Sequence, residues 1–441
     1  MTAPGTHQPG RRIAVVGGGA AGVVAAWRLA THHHVTLIEA EQELGGHART
    51  VMVPSSQGDV AIDMGVELFN DRNWPNFCRL LALTGCETFP APLTFAASFG
   101  EGETWENDVR FRSPLWSRLR GECDRFQQAM DGVMQHVADH ANVTLREYTE
   151  RQHYSSEFVT KALIPMLSTF SGSRAPLLEF SLTYAAACFS EHMLSFLHAP
   201  YYRKVVGGLS RYLAHLARAI QIVRTGAPVS AIRREAGAVH VRDAAGHEEA
   251  FDQLVLATHA DIALALLGDA STEERALLGA IEYHEARSLV HTDASVLSPY
   301  LAHRRASCEY VWLGHGPEGS VTRNMTVANG LDPERDPIFV TINPQVPLAP
   351  DRIVAEAVWK HARLRPQDMT TKRNFRSIQG KNRVWFCGMD TTLTGHESAV
   401  CSGLLVADAL GADYPFAHHA AAARQLGIIN NIMGIGRTLP C

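Results

Sequence analysis

Arg11-Arg12-Ile13-Ala14-Val15-Val16-Gly17-Gly18-Gly19-Ala20-Ala21-Gly22, followed after an alanine-rich stretch by Val35-Thr36-Leu37-Ile38-Glu39, is the segment that decides the fold. An apolar, β-branched run entering G-x-G-x-x-G, a helical segment and a second apolar run closed by an acid are the ordered parts of a dinucleotide-binding βαβ unit. Gly17 permits the tight turn out of the first strand, Gly19 lets backbone N–H groups approach a pyrophosphate, and Gly22 lets the helix pack closely on the sheet. The helix that begins around Ala21 then turns its partial positive charge toward the phosphates. Glu39, at the end of the second strand, is placed to accept hydrogen bonds from both hydroxyls of an unphosphorylated ribose, and it would repel a 2′-phosphate. FAD or NAD fits this pattern; NADP does not.

The loop after Glu39 separates FAD from NAD. Leu44-Gly45-Gly46-His47-Ala48-Arg49-Thr50 resembles the G-G-[RH]-x-x-[ST] segment of the flavin amine oxidase superfamily, in which this loop runs along the FAD pyrophosphate. Gly46 then serves backbone approach, His47 stands where many members carry arginine, and Arg49 is placed to supply the missing charge. At the other end of the chain, Arg383 to Asp390 reads as a strand entering a glycine turn, and Gly395 to Ala407 reads as a helix with small residues on one face. This pair is similar to the C-terminal FAD motif of the same superfamily, whose helix points its N-terminus at the flavin pyrimidine ring and stabilises negative charge on the reduced flavin. The resemblance implies cofactor contacts at Gly388, Asp390, His396 and Ala399. It extends to Asp63 and Gly65 of the D-x-G segment, to Val205-Val206-Gly207-Gly208-Leu209, to Val229 in the strand that meets the adenine, and to Thr258 at the end of Leu254-Val255-Leu256-Ala257. Within the superfamily the chain looks like a bacterial subgroup of NAD/FAD-binding flavoproteins associated with cyclopropane fatty acid biosynthesis.

The implied architecture is α/β: a Rossmann-type FAD-binding domain built from 11–70, 203–270 and 378–415, interleaved with an α+β substrate domain built from 71–202 and 271–377. Residues 1–10 are expected to be a flexible leader and 416–441 a tail with a docking helix. Helical patterns fill the first insert (Phe77–Leu83, Cys123–Met130, Phe158–Leu163), and strand-like runs fill the second (Tyr310–Leu313, Ile338–Ile342). A sheet facing the flavin and a helical lobe beside it would enclose an apolar slot.

Composition agrees with that architecture. The chain has 441 residues and 46% hydrophobic content, enough for a large core, and a net charge of −5 without basic runs gives no electrostatic case for nucleic acid. Eight cysteines without a C-x-x-C pair suit a reducing cytoplasm, and no run of about 18 apolar residues is present to span a membrane. Twenty-two histidines raise a metal site. Consecutive His32-His33-His34 point apart and cannot close a tetrahedron, so no metal is expected. His192 and His198, among Phe189, Met193, Leu194 and Phe196, read as core or as cavity lining.

Flavin chemistry asks the protein mainly for orientation, a dry cavity and electrostatics. Many amine oxidases of the superfamily place a lysine near the flavin N5. The corresponding stretch here, Glu285 to Asp293, has none, and the chain's only lysines are Lys161, Lys204, Lys360, Lys372 and Lys381. His396 and Glu397, at the start of the last motif's helix, are the candidates for proton movement, weighed equally against helix capping. Tyr310 and Trp312 read as an aromatic wall or as core. The expected reaction is hydride transfer from a small or acyl-type metabolite to FAD, with dioxygen as a candidate acceptor. A redox-neutral isomerase of unsaturated lipid and a non-catalytic FAD-stabilised binding protein are the alternatives.

Overall fold

The computed structural model describes residues 10–436 except 101–102, 109, 172–175, 191–192, 302–305 and 315–318. The leader expected at 1–10, the end of the tail and His192 therefore lie wholly or largely outside the described residues. In chain order the elements that position the site are β1 (Arg12–Val16), α1 (Ala20–Leu29), β2 (His34–Ile38), β3 (Thr50–Val53), β4 (Val60–Asp63), α2 (Pro75–Thr84), β5 (Phe95–Ser98), β6 (Thr104–Glu106), α3 (Pro114–Gln135), α4 (Leu182–Ser190), β7 (Arg203–Val205), α5 (Ser210–Ala217), β8 (Ile222–Arg224), β9 (Val229–Arg234), β10 (Val239–Asp243), β11 (Glu248–Phe251), β12 (Gln253–Leu256), α6 (Ala260–Leu266), β13 (Tyr283–His291), β14 (Cys308–Val311), β15 (Ser320–Asn324), β16 (Phe339–Ile342), β17 (Ile353–Ala362), α7 (Pro366–Asn374), β18 (Val384–Phe386), α8 (Gly395–Ala409) and α9 (Ala420–Met433).

A parallel five-stranded sheet in the order β18-β12-β1-β2-β8 draws its strands from both ends and the middle of the chain. Its central strands are apolar on both faces because both faces are covered. Ile13, Val15, Val35 and Leu37 pack under α1, α5 and α8, while Ala14, Val16 and Leu254 pack against β9–β11 and α6. Small residues decide how closely the helices approach. A Cβ on Gly22 would lie 1.9 Å from the Gly17 carbonyl oxygen, and one on Gly403 of α8 would lie 2.4 Å from that of Ala21 in α1. Glycine at both positions brings α1 onto its own strand turn and α8 onto α1.

The second layer is a seven-stranded mixed sheet, β17-β13-β16-β15-β14-β5-β6. Alternation along its strands sends Ser288 and Trp359 toward the cofactor-domain loop, where Ser288 Oγ and Trp359 Nε1 both donate to the Met64 carbonyl at 3.0 and 3.4 Å. Beyond β5 and β6, α3 and α4 close over a cluster of large apolar side chains that includes Trp105, Trp116, Phe126, Phe158, Phe189 and Phe196. The core divides differently from the sequence-based boundary at one place. Helix α2, inside the stretch assigned to the substrate domain, packs with α1, α5 and α8, and the tail helix α9 joins the same core through Ala422, Leu426, Ile429 and Met433. The Phe77, Leu80 and Leu81 side chains of α2 form an apolar stripe that only this core buries.

Candidate cofactor and active site

The glycine-rich loop and the Gly45-Gly46 loop lie side by side: Gly45 N–H donates to the Gly18 carbonyl at 2.9 Å, and Gly19 and Gly45 form a parallel bridge. Gly17 has φ +106°, and a Cβ there would strike the Ala257 carbonyl at 2.8 Å and the Thr258 nitrogen at 3.2 Å, so Gly17 and Thr258 form one edge of the site. Gly19 is different. Its backbone conformation suits any residue, and a Cβ built on it meets nothing within 4 Å. Open space in front of the helix N-terminus at Ala20 and Ala21 is what an incoming pyrophosphate requires. Glu39 lies at the end of β2, half-exposed, with one carboxylate oxygen 2.5 Å from Gly18 N–H and the other accepting from Glu41 N–H. Its backbone carbonyl accepts from Ala227 N–H, which ties the lead-in to Val229 and β9 to the same place.

His47 sits at the junction of the two domains. Its ring lies 4.8 Å from Trp359, 5.4 Å from His361 and 5.9 Å from His259, and His361 lies 5.5 Å from His284. Two of these imidazoles come from cofactor loops and two from the paired strands β13 and β17. Burial and the neighbouring imidazoles push His47 down to about 3 and His361 down to about 4, so both are neutral at physiological pH. His47 Nε2, His284 Nδ1 and His361 Nδ1 are buried without a hydrogen-bond partner. Unpaired nitrogens inside a protein are costly, and a ligand carrying hydroxyl or N–H donors would satisfy them. Among the described residues no group of three or more His, Cys, Asp or Glu is arranged to hold a metal ion. Arg49 is exposed at the loop's far end.

The remaining expected residues divide between loop support and core. Asp63 accepts from Thr50 Oγ1 at 2.6 Å and Leu209 N–H at 2.9 Å, so it pins the entry of α5 to β3; burial raises its carboxyl to about 6. Gly65 is compulsory because a Cβ would meet the His47 carbonyl at 2.4 Å. Gly388 has φ +121°, and its N–H donates to Ser402 Oγ, which donates in turn to the Ala399 carbonyl. Asp390 accepts from Ala260 N–H at 2.8 Å and from the Tyr283 hydroxyl at 2.5 Å, capping α6. His396 and Glu397 are turned into the cofactor-domain core. His396 Nε2 lies 2.8 Å from the Tyr212 hydroxyl with its ring edge-on to Phe77, and burial lowers it to about 4. Glu397 accepts from Asn76 N–H, Asn76 Nδ2 and Phe77 N–H at 2.8–2.9 Å, capping the first turn of α2; burial raises it to about 7. Tyr310 is buried in the apolar lobe and accepts from Gly319 N–H.

Sequence reading missed a buried ion cluster next to the D-x-G segment. Lys204 Nζ lies 2.9 Å from Glu67 Oε1, and Arg323 Nη1 lies 3.4 Å from Glu67 Oε2, with all three side chains at 12% exposure or less. It joins β7, β15 and the loop after β4, three segments far apart in sequence. The one available signal was that Lys204 is among only five lysines.

These features define a dinucleotide-binding protein with a second, seven-stranded sheet set against the segment that follows its glycine loops. The chain belongs to the flavin containing amine oxidoreductase family, whose model matches residues 20–290, and FAD is its cofactor. An FAD-dependent oxidoreductase of Emericella nidulans, dbaF, is 45% identical over 99 residues, which are 22% of this chain and 19% of that protein. The match thus spans about a fifth of that relative's length. Solved structures share the fold at low identity. Cyclohexylamine oxidase from Brevibacterium oxydans is 15% identical with a TM-score of 0.67 over 91% of this chain and all of that one. Wild-type putrescine oxidase bound to putrescine is 16% identical at 0.66 over 90% and 98%. A conjugated-linoleic-acid-producing fatty acid isomerase from P. acnes is 15% identical at 0.64 over 90% and 97%. Among the described residues no helix is long and apolar enough to cross a membrane.

Proposed function

We propose that the protein is an FAD-dependent oxidoreductase, an oxidase, dehydrogenase or desaturase, that takes a hydride from a small or acyl-type metabolite with apolar surface. The observation that carries this reading is the arrangement of the seven-stranded sheet. It meets the cofactor loops through Ser288 and Trp359 on one side and continues into the apolar α3–α4 lobe on the other. A substrate lying along that boundary has a hydrocarbon-compatible wall and a cofactor at its end.

FAD, when bound, supplies the two-electron acceptor. Gly19, Ala21 and Gly46 are assigned to the pyrophosphate, with Gly17 and Gly22 shaping the turn and helix packing that bring them there, Glu39 to the ribose, and His47, with its open Nε2, to a hydroxyl of the cofactor. The strand β13 region carries no lysine, and Lys360 on the adjacent strand is paired with Asp261 at 2.9 Å. Amine oxidation through a flavin-proximal lysine is therefore not the proposed route. His396 and Glu397 are assigned to building the cofactor domain, since their polar atoms are engaged by Tyr212, Asn76 and Phe77.

The apolar lobe also supports a second reading, redox-neutral isomerisation of an unsaturated lipid, in which hydride leaves one carbon and returns to another. Anaerobic mixing with amines, alcohols and acyl chains separates the two. Lasting loss of oxidised-flavin absorption marks net oxidation, and a product of unchanged mass with no net bleaching marks isomerisation. If none of these compounds alters the flavin or is itself converted, the proposed substrate classes are wrong.

A further inference from the structure

Lys372 is the most deeply enclosed cation near the C-terminal motif, at 1% exposure. It projects from α7, and its Nζ donates to the carbonyls of Met389 and Leu393, both at 2.8 Å. Those two carbonyls bracket the turn between Gly388 and the start of α8, within which the Thr391 and Thr392 N–H groups donate back to the Gly388 and Met389 carbonyls. The ammonium is thus fixed beneath that segment by two bonds to neutral acceptors, with no carboxylate taking either. The charged groups around it are Asp368 on its own helix, itself held by Arg365, and Asp390 in the turn, itself held by Ala260 N–H and the Tyr283 hydroxyl. From α8 the ionisable neighbours of the same motif are His396 and Glu397, and from α9 the side chain that reaches the turn is Met433. Burial outweighs both aspartates and lowers the ammonium to about 8.

We infer that Lys372 is a positioning residue that sets the reduction potential of the bound flavin, its charge reinforcing the positive end of the α8 dipole. This rests on the reading that the start of α8 faces the flavin ring. Two-electron reduction with uptake of one proton leaves the flavin with one extra negative charge, and a fixed cation nearby favours that form over the oxidised one. Lysine exchanges no electron or bond in the process. Its own deprotonation at alkaline pH removes the charge and lowers the potential.

The experiment is a dye-coupled anaerobic reductive titration of the FAD-loaded protein from pH 6 to 9.5. The native protein is expected to show a break in the potential–pH line near pH 8. Lys372→Met is expected to fall at pH 7 by at least a tenfold change in the two-electron equilibrium, about 30 mV, and to lose the break. Lys372→Arg, with a permanent charge, should keep the pH 7 potential and lose the break. A native line without a break near pH 8, or an FAD-loaded Lys372→Met protein with the native potential, overturns the inference. Should the methionine variant fail to load, the native line alone decides. A native protein that takes up no FAD refutes the cofactor reading and with it this one, whereas a yellow protein with an unbroken line refutes only the role of Lys372.

Discussion

Replacing Gly403 by alanine tests whether both ends of the chain grip one cofactor. Its Cβ would stand 2.4 Å from the Ala21 carbonyl oxygen and 3.1 Å from the Ala25 nitrogen, both backbone atoms of α1 that no rotamer change can move. Reaching ordinary contact at about 3.5 Å requires α8 and α1 to part by roughly 1 Å. Overpacking of this kind costs about 1–3 kcal/mol. Alanine's better helix propensity returns about 1 kcal/mol, so a net loss of about 0–2 kcal/mol leaves the protein folded. On the proposed placement the N-termini of α1 and α8 address the same FAD molecule, so parting them by about 1 Å loosens hydrogen bonds to charged groups at one end or the other, each contributing about 1.5–3 kcal/mol. We expect FAD affinity, read by flavin fluorescence quenching, to drop at least tenfold while urea unfolding of the cofactor-free protein changes by less than about 2 kcal/mol. An FAD affinity within twofold of the parent would refute the shared clasp.

Glu397→Ala leaves the buried Asn76 and Phe77 N–H groups unpaired, while Asn76 Nδ2 keeps the Ala422 carbonyl, and should destabilise the protein by about 2 kcal/mol or more. In any FAD-loaded fraction the flavin potential should be unchanged; a stable variant with an altered potential would return Glu397 to the chemistry. Glu39→Ala should weaken FAD binding by about tenfold without abolishing it, as measured by the same quenching titration; unchanged affinity would remove Glu39 from the ribose. His361 is held neutral by burial, its folded value of about 4 lying below the ordinary 6.5. Its contribution is therefore complete above pH 6.5 and is lost as pH falls from there toward 4. Between pH 7 and pH 5 the parent should lose about 2 kcal/mol relative to His361→Phe, and parallel pH dependence of the two proteins would show that this imidazole is not buried neutral.

How much of the fold and site was legible depended on sequence distance. The unit from β1 to β2 was readable because its strand periodicity, glycines and acid lie within some thirty consecutive residues and each has a local physical reason. The α8 motif was readable for the same cause, down to its small-residue face. The surroundings of His396 and Glu397 were not, because the partners that engage them belong to α5 and α2; Glu397 and Asn76 are 321 positions apart. The imidazole row is assembled from residues 47, 259, 284 and 361, no two close enough in sequence to make a motif. Helix α2 was placed on the substrate side of the domain boundary on position alone, since its apolar stripe does not reveal which core buries it. Lys372 was visible only as a lysine outside the expected strand.

The most direct measurement of the central claim is the cofactor content of Gly19→Val. Position 19 has an ordinary backbone conformation and free space around its Cβ, so the variant should match the parent in circular dichroism and in unfolding of the cofactor-free form. The new side chain would occupy the pyrophosphate's place, and the purified variant should be colourless and take up no added FAD. A yellow Gly19→Val protein at full occupancy would contradict the account.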